Sequence, residues 1–127
     1  MRALLFTLFA TTASAEAPMT AAEFEAYVTG KILTFGSPEI GNYGVEQYLP
    51  GRRVRWSALD GQCIKGEWYA EGDDICFLYV GDPEPKCWAV YQTTEGIRAE
   101  YTSTDSGTVL FEAKENPEAL ICGDLFS

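Results

Sequence analysis

The sequence contains no histidine, and its 9 lysine and arginine residues are outnumbered by 19 aspartate and glutamate residues. The absence of histidine removes the commonest general base and excludes the Ser-His and Cys-His pairs that activate nucleophiles. The formal net charge of −10 disfavours DNA and RNA binding, because phosphate neutralisation requires a basic surface. Acidic residues are plentiful, so a pair of carboxylates could still hydrolyse glycosides as a carboxylate-type hydrolase, but we expect a protein that is not an enzyme.

No apolar run approaches the roughly 20 residues of a transmembrane helix, so no membrane anchor is expected. The apolar run at residues 3–10 follows the basic start Met1-Arg2 and precedes Ala13-Ser14-Ala15, a small-x-small pattern typical of signal peptidase sites. We predict a signal peptide over residues 1–15, with residue 17 as the alternative end, and a single domain over residues 18–127. Cleavage would leave 8 basic and 19 acidic residues, a net charge of −11. The mature protein is expected to be a soluble monomer, periplasmic or secreted.

The chain has four cysteines, Cys63, Cys76, Cys87 and Cys122, and no C-x-x-C motif. Four cysteines in a short exported chain predict two disulfides, with three connectivities open. The turn signal at residues 81–85 favours pairing Cys76 with Cys87, which leaves Cys63 with Cys122. The turn length predicts that Cys76 and Cys87 are offset by a residue or two, which a disulfide tolerates poorly. Zinc is the alternative, but the spacing and the lack of histidine disfavour it, and no metal or cofactor is expected.

A short helix is predicted near residue 20. Thr20 and Glu23 form the sequence pattern of a capping box, and Phe24 and Val28 follow at helical spacing before Gly30, a residue typical of helix ends. A helix this short is not stable alone. It is therefore expected to pack Phe24 and Val28 against a sheet.

From residue 31 onward the apolar residues recur with the period of two that indicates half-buried strands. Connections are too short for crossover helices, so neighbouring strands should pair antiparallel, and Asp60-Gly61 predicts a two-residue hairpin. We predict a mainly β fold, a short helix followed by a meander of seven or eight strands, closed or partly open as a small barrel. A flat open sheet is the alternative. The candidate strands are Lys31–Phe35, Tyr43–Leu49, Arg52–Leu59, Gln62–Tyr69, Asp74–Val80, Lys86–Thr93, Ile97–Thr102 and Thr108–Ala113.

A helix followed by Gly30-Lys31, Gly66-Glu67-Trp68, Ile75-Cys76-Phe77 and Cys87-Trp88, in that order, resembles a group of small exported bacterial proteins of unknown function. This group is best known from alphaproteobacteria, and the resemblance covers most of the chain after the signal peptide. It implies an exported, single, β-rich domain. It assigns no catalytic residues.

Arg53 and Arg55 alternate with apolar residues and should project from the same strand face. Two guanidinium groups about 7 Å apart suit the binding of a carboxylate or phosphate. The alternative is that both arginines pair with acidic residues on neighbouring strands, such as Glu46 or Glu67. They are candidate binding residues on this basis.

Aromatic side chains are the second candidate for a binding surface. Most are expected in the core, because a chain this short needs its large side chains inside. We predict core positions for Trp56, Trp68 and Phe77. Tyr69 and Tyr91 remain open between the core and a ligand site, so they are also candidate binding residues.

Three classes of function follow from these patterns. The first is a non-catalytic binding module of the bacterial envelope that recognises a protein or a small ligand, one version being an inhibitor of a cationic wall-degrading enzyme such as lysozyme. The second is a structural or stress protein of the envelope. The third is the carboxylate-type hydrolase.

Overall fold

The computed structural model describes residues 2–8 and 16–123 of the chain. The proposed cleavage site at Ala13-Ser14-Ala15 lies outside these ranges, and residues 2–8 have no regular secondary structure. Among the described residues, no helix has the length and apolar character needed to cross a bilayer. The elements, in chain order, are α1 (Ala21–Val28), β1 (Ile32–Ser37), β2 (Gly41–Leu49), β3 (Arg53–Ser57), β4 (Ile64–Glu71), β5 (Asp74–Tyr79), β6 (Lys86–Thr93), β7 (Gly96–Tyr101) and β8 (Val109–Glu112).

The eight strands form a closed antiparallel barrel in which each strand pairs with its neighbours along the chain. Pairing of β1 with β8 closes the barrel, through Phe35 opposite Glu112 and Gly36 opposite Phe111. Closure removes the edge strands that an open sheet would expose. The predicted helix followed by an antiparallel barrel is therefore confirmed, and the flat open sheet is wrong.

Each predicted strand overlaps one observed strand, and the ends agree to within two residues. The predicted two-residue hairpin at Asp60-Gly61 is wrong, because residues 58–63 form a longer loop between β3 and β4. Gly61 instead contacts the last described residue, since its carbonyl oxygen accepts a hydrogen bond from the Gly123 N–H. A contact 62 residues away in sequence thus overrides the local turn preference.

Helix α1 closes one end of the barrel. Its capping box is present, with the Glu23 N–H donating to Thr20 Oγ1 and the Thr20 N–H donating to Glu23 Oε1. Phe24 and Val28 are fully buried, as predicted. Gly30 follows the last helical turn with a φ of +85°, a left-handed conformation that glycine adopts without steric cost.

Both disulfides form as predicted, Cys63 with Cys122 and Cys76 with Cys87. The expected misalignment of Cys76 and Cys87 is wrong, because the two residues lie directly opposite each other in the pairing of β5 with β6. The six-residue connection at 80–85 is long enough to give this register. Two disulfides, with no free cysteine among the described residues, indicate an oxidising compartment outside the cytoplasm.

The end of the described chain, residues 114–123, runs along the outside of the barrel, and we call it the C-terminal strap. Its Glu118 N–H donates to Thr34 Oγ1 at 2.8 Å. Thr34, Val45 and Ser57 lie side by side across β1, β2 and β3, and all three are buried although they face away from the barrel interior. The strap therefore gives these three strands a second, outer layer of packing.

Candidate ligand-binding cavity

A cavity of about 380 Å³ occupies the barrel interior, between α1 at one end and the open end opposite α1. Phe24 of α1 forms part of its floor, where its ring makes edge contacts with Tyr48, Trp68 and Phe77 at centroid distances of 5.0 to 6.3 Å. Eight aromatic side chains line the cavity: Phe24, Phe35, Tyr43, Tyr48, Trp56, Phe77, Tyr79 and Trp88. The remaining lining is mostly aliphatic, so the interior is an apolar and aromatic space.

The cavity opens at the end of the barrel opposite α1, which we call the mouth. Antiparallel topology places the connections 58–63, 80–85 and 102–108 at this end. Val80 and Ile64 border the opening and are 75% and 45% exposed. Asp82 and Lys86 also border it and form an ion pair with a 2.8 Å separation. The mouth thus combines exposed apolar side chains with one neutralised charge pair.

Two glycines set the positions of aromatic rings in the wall. A Cβ at Gly44 would lie 2.2 Å from the Trp56 ring, and a Cβ at Gly66 would lie 2.7 Å from the Tyr79 ring. The absence of a side chain lets each ring lie directly against the backbone of the neighbouring strand. Replacing either glycine would push the ring out of this position, so these two residues shape the cavity.

Glu46 is the one acidic side chain deep in the cavity wall of the described chain, and it is only 2% exposed. It lies on β2 between Gly44 and Tyr48, on the inward face. The Tyr79 hydroxyl donates a hydrogen bond to Glu46 Oε1 at 2.8 Å. Glu46 Oε2 is buried and has no hydrogen-bond partner among the described residues. A carboxyl oxygen left in this way is uncommon in a native interior.

Burial raises the pKa of Glu46 from 4.5 to about 8, and the hydrogen bond from Tyr79 opposes this change only partly. The same burial, together with the nearby Glu46, raises the pKa of Tyr79 well above its ordinary range. Glu46 is therefore a neutral carboxylic acid at pH 7. A neutral acid beside an unfilled apolar space is the type of group that marks binding and catalytic sites.

We expect Glu46 to make the protein less stable as the pH rises from about 5 to 8. The folded state keeps the Glu46 proton up to a pKa of about 8, whereas the unfolded chain releases it near 4.5. The free energy of unfolding should therefore fall by about 1.4 kcal/mol per pH unit between these values. Urea unfolding at pH 5, 6, 7 and 8 measures this slope, and Glu46→Gln should remove it.

Glu67→Gln is the matched control, because Glu67 is exposed on the outer face of β4. This variant should follow the wild-type protein at every pH. A stability difference between wild type and Glu46→Gln that is the same at pH 5 and pH 8 would contradict the assignment of a buried neutral acid.

Arg53 and Arg55 both lie on the outer face of β3, as the alternation predicts, because Val54 and Trp56 point inward. Arg53 Nε donates to the Pro50 carbonyl oxygen at 3.1 Å. Arg55 Nη2 lies 3.0 Å from Cys122 Sγ, so this guanidinium contacts the C-terminal strap. Within the described chain neither arginine forms an ion pair, and Glu46, one of the two suggested partners, faces the interior instead.

Tyr69 and Tyr91 also lie on the outer face of the barrel, on β4 and β6, because Trp68 and Val90 beside them point inward. The Arg98 guanidinium lies over the Tyr91 ring, 4.6 Å from its centroid. The structure thus places all four candidate binding residues outside the cavity. Tyr69 is two residues beyond Glu67, the partner of Arg53 across β3 and β4, whereas Tyr91 on β6 is three strands away from the arginines of β3.

The predicted core positions of Trp68 and Phe77 are confirmed, since both are buried. Trp56 is partly buried and packs against the core with its ring in the cavity wall. Sequence reasoning missed Glu46 as a cavity residue. The alternation of side chains along β2 could have identified it. Glu46 lies two residues before Tyr48, so both side chains point to the same, inward face.

Comparisons with protein-family models, curated protein sequences and solved structures gave no match for this chain. The cavity geometry and the chemistry of its lining therefore carry the functional argument.

Proposed function

We propose that this protein is an exported, non-catalytic binding protein that encloses a small, mostly apolar ligand inside its barrel. The observation that carries the proposal is the aromatic cavity, open at one end, with the buried carboxyl group of Glu46, whose Oε2 has no partner in the part of the chain that the structure describes. Small closed barrels of eight strands are wide enough to hold one such ligand. The helix at the opposite end supplies a floor, so a ligand would enter and leave through the mouth.

The size of the cavity supports a ligand site over a packing defect. Protein interiors are close-packed, and their voids are few and seldom larger than a water molecule. The volume of about 380 Å³ falls within the range of roughly 300 to 1,000 Å³ that ligand pockets occupy. Leaving this volume empty would forfeit the dispersion contacts of its lining, which a bound apolar molecule would restore.

The composition of the lining also supports a ligand that is apolar with one polar group. The wall offers aromatic and aliphatic surface almost throughout, and its inner polar groups are Glu46 and the hydroxyls of Tyr48 and Tyr79. Ligand sites typically combine a hydrophobic lining with a few polar groups that fix orientation. Glu46 Oε2 is suited to that orienting role because no group of residues 2–8 or 16–123 forms a hydrogen bond with it.

We further propose that binding takes place in the periplasm or outside the cell. The two disulfides support an oxidising compartment. Residues 2–8 expose Leu4, Leu5, Phe6 and Leu8 to solvent, which fits an export signal that is removed rather than a part of the domain. The closed barrel leaves no edge strand for pairing between copies, which supports a monomer.

Binding of N-phenyl-1-naphthylamine, an apolar dye that fluoresces strongly in dry surroundings, tests the proposal. We expect one saturable site per chain, with a large increase in dye emission. Leu110→Trp should weaken dye binding at least tenfold, because Leu110 lines the cavity and the larger ring would occupy part of its volume.

Leu78→Trp is the control, since it makes the same change on the outer face of β5, where Leu78 lies between the inward Phe77 and Tyr79. It should leave dye affinity within twofold of wild type. Thermal melting checks that both variants fold. Absence of saturable dye binding, or equal weakening by both variants, would refute a ligand site in the barrel.

A further inference from the structure

Building on the binding function proposed above, we infer that the ligand is a hydrophobic amine, whose ammonium group donates a hydrogen bond to Glu46 Oε2 while its apolar body fills the aromatic cavity. Three features of the cavity point to this polar group: the oxygen of Glu46 without a partner among the described residues, the charges around the cavity and the aromatic wall.

The two oxygens of Glu46 have different surroundings. Oε1 accepts a hydrogen bond from the Tyr79 hydroxyl at 2.8 Å, whereas Oε2 has no donor among the described residues. A carboxylate can accept hydrogen bonds at both oxygens. When Glu46 is ionised, Tyr79 thus satisfies one oxygen of the carboxylate, and a ligand that supplies a donor would satisfy the other.

The charges of the protein favour a cationic donor over a neutral one. Lys86 is the one basic residue among the cavity-lining side chains described, and it lies at the mouth paired with Asp82. The formal net charge of the chain is −10, so its field attracts cations and opposes anions such as fatty acids. An ammonium group next to a buried carboxylate would form a charge-assisted hydrogen bond, about twice as strong as a neutral one.

The aromatic wall adds a second attraction for a cation. Trp56 lies directly opposite Glu46 in the pairing of β2 with β3, and the Tyr79 ring carries the hydroxyl that contacts Glu46. The faces of such rings attract ammonium groups, with tryptophan the strongest. An ammonium at Oε2 would therefore lie among groups that compensate for its loss of water.

Binding an ammonium ion requires Glu46 to be ionised. Below its pKa of about 8, the acid would release its proton to solvent as the amine enters, so that one proton is lost per amine bound and no covalent bond changes. The titratable groups facing Glu46 are Tyr48 on its own strand and Tyr79 on β5, with Tyr43 adjoining Tyr79. On the flanking strands β1 and β3, its partners Leu33 and Trp56 are uncharged. Of the more distant charges, Glu112 acts on Tyr48, and Asp82 and Lys86 neutralise each other. Glu46 is therefore the group whose proton is released.

Titration calorimetry with octylamine, octanol and octanoate, which share one apolar chain, tests the inference on the intact folded protein. At pH 7 we expect octylamine to bind at least tenfold more tightly than octanol, and octanoate to bind most weakly. Octylamine affinity should rise about tenfold per pH unit from pH 5 to pH 7, as expected when binding releases one proton. Heats measured in two buffers of different ionisation enthalpy count that proton directly.

Glu46→Gln should reduce the preference for octylamine over octanol to less than threefold and abolish proton release. Glu67→Gln, on the outer face, should retain both. Tyr79→Phe provides a second variant that keeps the acid, so it should retain proton release while octylamine affinity at pH 7 falls. Thermal melting identifies any variant that fails to fold.

The outcomes separate this inference from the broader proposal. If the naphthylamine dye or octanol binds in the barrel but octylamine is not preferred, or its affinity falls with rising pH, the amine is refuted and the ligand-binding function stands. A hydrogen-bond acceptor would then be the better ligand class, because the neutral acid donates a proton instead. If no probe binds, including the dye, both proposals are refuted.

Discussion

Replacing Phe24 with alanine should lower the free energy of unfolding by about 3 kcal/mol, the lower part of the range for removing a buried phenylalanine side chain. Phe24 is 1% exposed and contacts the rings of Tyr48, Trp68 and Phe77. These edge contacts add to the loss of buried apolar area. The value lies in the lower part of the range because one side of the Phe24 ring already faces the cavity and has fewer neighbours to lose.

Urea unfolding, followed by circular dichroism, measures this effect as a decrease in the transition midpoint. Phe111→Ala is the matched control, because Phe111 lies on the outer face of β8 and is 43% exposed. Its midpoint should change much less than that of Phe24→Ala. Equal changes in the two variants would show that α1 does not anchor the barrel through Phe24.

Removing the Cys63–Cys122 disulfide by a double alanine substitution should destabilise the fold by roughly 4 kcal/mol, according to the chain-entropy account of cross-links. The two cysteines are 59 residues apart, so the bond closes a long loop and restricts the unfolded chain strongly. The bond also ties the C-terminal strap to the loop before β4. We therefore expect a local effect in addition to the global one.

Amide hydrogen exchange resolves the local effect, because the Glu118 N–H donates to the buried Thr34 hydroxyl at 2.8 Å. In the double variant the Glu118 amide should exchange much faster than global unfolding alone would allow, because the strap detaches locally from β1. The corresponding removal of the Cys76–Cys87 disulfide should leave Glu118 protection tied to global unfolding. Unchanged local protection in the first variant would show that the strap is held by its own contacts.

The architecture could be predicted from local patterns because each pattern agrees with the global fold. Alternation of Val54 and Trp56 with Arg53 and Arg55 gives the strand and its inward face, and the closed barrel realises that alternation. The capping box at Thr20 predicts the start of α1 because it depends on four adjacent residues. Such features depend on residues that are close together in the sequence and not on distant parts of the chain.

The features that could not be predicted depend on distant contacts. The loop at 58–63 is longer than Asp60-Gly61 suggests because Gly61 bonds to Gly123. Arg55 contacts Cys122 because the strap lies over β3, and nothing in its local sequence indicates that neighbour. The interior of a barrel is assembled from all its strands, so an unfilled volume cannot be inferred from any one of them.

Glu46 illustrates the same limit at the candidate site. Its position in the alternation of β2 indicates an inward side chain, but an acidic residue in a strand is more often exposed, and pairing with a neighbouring arginine is the simpler interpretation of the sequence. Only the structure shows that Tyr79, 33 positions later, supplies its hydrogen bond. The outer-face candidates Arg53, Arg55, Tyr69 and Tyr91 remain predictions, since no observation bears on their binding role.

The ends of the described domain lie at opposite poles of the barrel. Met19 donates its backbone N–H to the Val90 carbonyl oxygen beside the α1 end, whereas Gly123 bonds to Gly61 in a loop at the mouth. A fusion partner or surface linkage joined after Gly123 would thus crowd the mouth of the cavity. A partner joined before Met19 would leave the mouth open to solvent. Attachment on the N-terminal side is therefore preferable when this protein is tethered.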